Sequence, residues 1–309
     1  MRTRKIALAV AALTLMTTAV APGRAAAAQA RPAPGVTGTA IGTGDKLLVG
    51  QNGNLSVITA AGDLIMYYHQ DWANGDPDLG PGYDRGDGWN MFKQVISFGV
   101  NGTRDNLYLA VAHNGDMYGY YWRDSTQSWV NPTGTKIGNG WQDSTMLFAG
   151  GNREDLNDVH RVTPDGRLWW YQYRGVPGQG GSWSVGGKAI GAGWGQFRYV
   201  TASWGEFYAV LPDGLMRFYS YDRRTDEWAN GGLPQDIGTG WAGGECAFRT
   251  VQAGGFRTMY AVDGAGQLRW RFHVMGPDGT HSWLPATGCG TVLEDQSLRR
   301  SSSLPVSGS

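Results

Sequence analysis

The sequence predicts an all-β fold, a five-bladed β-propeller of four-stranded antiparallel blades, and three observations carry that expectation. A glycine–aromatic cassette recurs five times, at intervals of about fifty residues. Hairpin-forming dipeptides stand at one fixed point of each copy. Six G-x-G marks bound the five intervals, so one repeating unit accounts for nearly all of the chain after its first forty residues.

Those opening residues read differently from the rest of the 309-residue chain. Arg2, Arg4 and Lys5 make a basic start, Ile6 to Val20 is apolar apart from threonines, and small residues run from Ala25 to Ala28, ending near Ala30. Residues 1–30 are therefore expected to be a secretory signal peptide cleaved near Ala28 or Ala30, too short in its core to span a bilayer. Residues 31–40 form a Pro/Gly lead-in, 41–293 the propeller, and 294–309 a polar Ser-rich tail without fixed structure.

Within the repeats, a turn glycine is followed two residues later by Leu or Met: Gly62/Leu64, Gly115/Met117, Gly166/Leu168, Gly214/Met216 and Gly266/Leu268. Four residues before each glycine stands Ile58, Val111, Val162, Val210 or Val262, and seven after it a ring, His69, Trp122, Tyr173, Tyr221 or His273. Tyr67, Tyr120, Tyr171 and Tyr219 form a matched column that becomes Arg271 in the last copy, and each copy has a downstream Trp: Trp72, Trp129, Trp183, Trp228 or Trp283. In the third copy the strands fall around Phe148, over 159–163, over 168–173 and over 183–190. Asn114-Gly115, Asp165-Gly166 and Asp213-Gly214 suit type I′ hairpins, which need positive φ at both central residues. A four-stranded meander cannot bury both faces alone, and stacking five in a closed ring solves this.

Composition narrows the function classes. The leader takes four basic residues (Arg2, Arg4, Lys5 and Arg24) and no acidic ones, so 26 basic and 26 acidic residues become a net charge of −4. An acidic surface without clustered Lys and Arg disfavours nucleic acid. The two cysteines, Cys246 and Cys289, are expected to pair as a disulfide in an exported protein. None of the five histidines has metal-ligand spacing to a second His or a Cys, so no metal and no cofactor is expected.

Several segments resemble tachylectin-2 repeats. Gly88-Trp89-Asn90-Met91-Phe92-Lys93 and Gly193-Trp194-Gly195-Gln196-Phe197-Arg198 look like the family's G-W-x-x-F-K opening. Phe207-Tyr208-Ala209-Val210 and Met259-Tyr260-Ala261-Val262 look like its L-Y-A-V strand, and Ile137-Gly138, Ile190-Gly191 and Ile237-Gly238 like its closing I-G. Tectonin-type propellers share the strand element. The resemblance, over residues 41–290, implies a five-bladed lectin holding N-acetylated amino sugars in pockets between blades. The repeats here are more divergent than the family's, and Gly44-Asp45 and Gly290-Thr291 at the expected seam lack the Trp.

A pyranose offers an apolar C–H face and a polar rim, so its site wants a flat ring beside amides and carboxylates. Trp89, Trp141, Trp194 and Trp241 supply rings, with Phe92 beside the first, and Asn90, Gln142, Asp143 and Gln196 supply polar partners. The expected partners are glycans, bound by a monomer with no membrane span. Tryptophans that only wedge blades together are the plain alternative. A propeller hydrolase or lyase would instead need asymmetric carboxylates, of which Glu154, Asp155, Asp158, Glu206 and Glu227 are available, but the sequence places no two at one centre and shows no G-x-S-x-G elbow. A protein-binding scaffold is the third class.

Overall fold

Along Glu206–Val210 successive side chains enter opposite blade interfaces, Phe207 and Ala209 the one with the preceding blade and Tyr208 and Val210 the one with the following blade, so this strand is buried on both faces. The computed structural model describes residues 40–100, 103–153 and 155–295. The expected leader, most of the lead-in, Glu154 and residues 296–309 lie outside the described residues.

Among the described residues five blade sheets are formed, each an antiparallel meander. Blade 1 runs through Lys46–Val49, Asn54–Ile58 and Leu64–Tyr68 to an outer strand at Tyr83–Asp84. Blade 2 comprises Gln94–Gly99, Asn106–Val111 and Met117–Arg123, flanked by Ser128–Trp129 and Thr135–Gly138. Blade 3 comprises Met146–Arg153, Leu156–Val162, Leu168–Arg174 and Ser182–Gly191. Blade 4 comprises Tyr199–Ser203, Glu206–Val210 and Met216–Asp222, flanked by Glu227–Trp228 and Gln235–Gly238. Blade 5 comprises Thr250–Ala253, Thr258–Val262 and Leu268–Met275, flanked by His281–Leu284 and Thr291–Val292. Each first strand neighbours the first strands of the blades on either side, including blade 1 against blade 5, so the ring is closed.

The core is divided among the five blade interfaces. Leu168 and Trp170 of blade 3 pack on Val200 and Phe207 of blade 4, for example, and Leu47, Leu55 and Ile65 of blade 1 pack on Val262 and Leu268 of blade 5. The ring series His69, Trp122, Tyr173, Tyr221 and His273 is interior packing. Burial of each large apolar side chain contributes about 1.5–3 kcal/mol, and no blade buries its two faces without both neighbours.

Three details differ from the sequence reading. The hairpins between second and third strands are not type I′: in all five the glycine amide bonds the carbonyl three residues earlier (Thr59, Ala112, Thr163, Leu211, Asp263), and only the glycine has positive φ. This is a type I turn with a bulge glycine, which Pro164 and Pro212 favour at the first central position. Trp72 does not occupy the place of the other downstream tryptophans. Trp122, Tyr173, Tyr221 and His273 pair with Trp129, Trp183, Trp228 and Trp283, whereas His69 pairs with Leu79, which stands at the spacing of Trp183 and Trp283 in blades 3 and 5. Finally, Glu294–Asp295 are not tail but form a short parallel pair with Asp78–Leu79 of blade 1.

The cysteines do pair. Cys246 in the connection from blade 4 and Cys289 before the outer edge of blade 5 have Cα atoms 5.3 Å apart in a disulfide.

Candidate functional site

One backbone hydrogen bond repeats at every joint of the ring. The amides of Trp89, Trp141, Trp194 and Trp241 donate to the carbonyls of the hairpin glycines Gly62, Gly115, Gly166 and Gly214, at 2.9–3.0 Å. The glycine before each Trp (Gly88, Gly140, Gly193, Gly240) has φ of 80–83°, a left-handed turn that swings the indole back between blades. At the seam the same bond runs from Ile41 to Gly266, at 2.8 Å. Ile41, rather than a residue near Asp45 or Thr291, therefore takes the Trp position, and Leu79 takes the outer one.

Each of the four indoles joins an aromatic cluster with the next blade. Trp194 meets Phe197, Phe207, Tyr219 and Trp228 at centroid separations of 5.0–5.6 Å. Trp89 meets Tyr120 and Trp129, Trp141 meets Tyr171 and Trp183, and Trp241 meets Phe248 and Trp283. In the last cluster the Arg271 guanidinium lies over both indoles, 5.3 and 5.5 Å from their centroids. The outer tryptophans Trp129, Trp183, Trp228 and Trp283 donate Nε1–H to the carbonyls of Arg85, Ile137, Ile190 and Ile237, which closes each joint. Trp89, Trp141, Trp194 and Trp241 are left only 1, 4, 5 and 1 % exposed.

An open cavity of about 430 Å³ stands on the cluster between blades 3 and 4. Trp194, Phe197, Tyr219 and Trp228 form its aromatic wall, Gln196 and Arg217 its polar rim, and Gly193, Gly232 and Pro234 its edges. Tyr219, Trp228 and Arg217 are half-buried and Gln196 is exposed, so these residues present more surface to the cavity than the Trp194 indole does. Gln196 Nε2 bonds only the Gly193 carbonyl, at 2.9 Å, and Arg217 bonds Asp236 Oδ1 at 3.3 Å. Burial pushes the Tyr219 hydroxyl above its ordinary pKa and pushes Tyr120 up to about 12, so both phenols stay protonated.

The other sequence-selected residues are differently engaged. Asn90 Nδ2 is within bonding reach of the Ala60 and Ala61 carbonyls and covers Gly62, where a Cβ would collide with it. Gln142 covers Gly115 in the same way, and its carbonyl takes the Lys93 ammonium. Asp143 pairs with Arg161 at 3.4 Å, and that guanidinium lies over Trp141. Phe92 is buried against Tyr118 and Tyr120. The sequence thus brings Trp194 and Gln196 to a cavity but not Asn90, Gln142 and Asp143 to a common rim. Tyr219 and Trp228 were legible as repeat columns; Arg217, three residues after a hairpin glycine, had no distinguishing signal.

Among the described residues, no two of the carboxylates weighed for catalysis meet. Asp158 is buried, accepts from Trp170 Nε1 and Gln172 Nε2, and pairs with Arg223. Glu206 is clamped by Arg257 at 2.6 Å, Asp155 pairs with Arg174 at 3.5 Å, and Glu227 is exposed. Among the described residues no group of three or more His, Cys, Asp or Glu is placed to hold a metal ion, and no helix is long and apolar enough to cross a membrane.

Neither a family model nor a curated protein matches this chain. Solved structures do resemble it in overall form. SapL1 lectin in complex with alpha methyl fucoside is 13% identical, with 81% of this chain and 80% of that one covered and a TM-score of 0.46. An Aleuria aurantia lectin mutant bound to alpha-methyl-L-fucoside is 9% identical, covering 80% and 78%, with a TM-score of 0.42. Yeast RCC1 (Prp20), bound to Kap60, is 11% identical, covering 81% and 62%, with a TM-score of 0.37. The chain spans less than two thirds of the Prp20 chains it matches. At these values the fold assignment rests on the strand pairing and ring closure described above.

Proposed function

We propose that this chain is an exported, multivalent carbohydrate-binding protein without catalysis, with sugar sites at the blade joints and the best-formed one between blades 3 and 4. The observation that supports this reading is the cavity over Tyr219 and Trp228. It pairs an aromatic wall, suited to the C–H face of a pyranose, with the amide and guanidinium donors of Gln196 and Arg217. Its lining holds no carboxylate, so it lacks the acid and base or nucleophile that glycosidic cleavage requires. N-acetylated amino sugars are the proposed class, following the tachylectin-2 resemblance, with Arg217 donating to the acetamide carbonyl. Export as a monomer, after cleavage near Ala28 or Ala30, completes the proposal.

The test is a glycan-array screen of the exported protein beside its Tyr219→Ala variant. Selective binding to amino-sugar glycans that the variant loses is the expected result. Depolymerised glycan would make the protein an enzyme, and silence across the array would favour a protein-binding scaffold.

A further inference from the structure

The opposite face of the ring, where first strands turn into second strands, carries a different cavity of about 390 Å³ at blades 3 to 5. The turns that build it are unusual. Blade 1 makes this turn with Asn52-Gly53, φ 55° and 75°, the ordinary choice where both central residues need positive φ. Blade 4 places Trp204 before Gly205 in that geometry (φ 55° and 86°), and blade 5 places Phe256-Arg257 there (φ 52° and 65°). Bulky side chains are strained in the left-handed region, and such strain persists where the surroundings over-determine it. All three of these residues line the one cavity.

Their arrangement is specific. Trp204 is fixed by its Nε1–H to the Asn152 carbonyl, at 3.0 Å, and meets Phe256 edge-on at 4.3 Å. Trp72 stacks on Phe256 at 5.4 Å, yet Phe256 remains 49 % exposed. Arg257 uses Nε and Nη2 to clamp Glu206, which neutralises that carboxylate and leaves Nη1 uncommitted. Arg153 lines the cavity with no ion-pair partner among the described residues, and Ser203, 3 % exposed, has its Oγ unpartnered. The lining therefore combines an aromatic wall, an excess of one positive charge and a buried hydroxyl without a bond.

We propose that this cavity is a second, separate binding site for an acidic sugar residue, a pyranose bearing a carboxylate. The ring's C–H face stacks on Phe256 and Trp204, the carboxylate takes Arg153 and Nη1 of Arg257, and the hydroxyls take Glu206 and Ser203 Oγ. The Arg257–Glu206 pair and Ser203 disfavour a lipid, which would leave them desolvated and unpaired.

The experiment is calorimetric titration of the exported protein with methyl glycosides of uronic acids and of sialic acid, their neutral counterparts, and benzoate. At least one acidic glycoside binds, with its neutral counterpart and benzoate weaker by about tenfold or more. Arg153→Ala and Phe256→Gly each lower that binding by about tenfold, while Phe256→Gly keeps or raises the melting temperature because it relieves the strained φ. Tyr219→Ala, on the other face, leaves it unchanged, so the two sites fail independently. No acidic glycoside binding up to about 10 mM, equal binding of neutral sugar or benzoate, or wild-type affinity in both variants overturns the site.

Discussion

Ile41 donates its amide to the Gly266 carbonyl at 2.8 Å, and the Arg249 guanidinium holds the Ile41 carbonyl at 2.6 Å. The seam thus keeps the backbone bond of the other four joints while replacing both of their tryptophans, with Ile41 and Leu79. Of the aromatic column only Tyr67 remains at this joint, 8 % exposed among Ile41, Leu79 and Leu268, so the seam keeps one buried ring and loses both indoles.

Valency follows from that substitution. On the proposed function, one chain should bind at most four amino-sugar residues on its hairpin face, each weakly, with avidity arising on clustered glycans. Native mass spectrometry at saturating monosaccharide counts them; five equivalent sites would contradict the seam assignment.

The inner tryptophans and the cavity residues should separate in mutation. Trp89→Ala removes an almost wholly buried indole and should cost about 3–5 kcal/mol of stability. Tyr219→Ala should instead lower sugar affinity about tenfold or more while the protein remains folded. Paired thermal melting and binding on both variants checks this, and the reverse pattern would move the site to the indoles.

Cys289→Ser opens a disulfide spanning 43 residues. Loop-closure entropy puts its contribution at roughly 4 kcal/mol, and engineered bridges often deliver less. A lower melting temperature with unchanged sugar selectivity is expected. Two reactive thiols in natively exported protein would show that the bridge does not form.

Acid should destabilise the ring through His160. This side chain, 2 % exposed between Phe148 and Phe207 with Nδ1 unpartnered, is pushed down to about 3 by burial. An unfolded histidine takes its proton near 6.5, so the neutral buried form stabilises the fold fully above that pH. The contribution is lost as pH falls toward 3, amounting to roughly 2–3 kcal/mol by pH 4.5. His160→Phe should reduce the slope of stability between pH 6.5 and pH 4.5, measured by denaturant titration, and leave the part due to His273, which burial also pushes down to about 3; an unchanged slope would assign the acid sensitivity elsewhere.

The ring was legible because its repeat acts through the backbone: a glycine hairpin, a left-handed glycine and a Trp amide recur in the same order at four of the five joints. Leu79, 17 residues after Gly62 as Trp183 follows Gly166 and Trp283 follows Gly266, carried the true register of blade 1. The nearer Trp72 masked it. Asn90 and Gln142 were chosen for their chemistry beside Trp, but proximity along a turn does not decide whether an amide faces solvent or caps a hairpin glycine. Trp204, Phe256 and Arg257 lay outside the repeat pattern, and a positive φ on a bulky residue leaves no mark in the sequence.

The chain crosses its own seam in both directions. Ala40 bridges Gln267 in blade 5, while Glu294–Asp295 run alongside Asp78–Leu79 in blade 1. Parting the first blade from the last therefore means peeling two straps, one anchored to each neighbour. A protease that clips either strap meets a ring still buckled by the other.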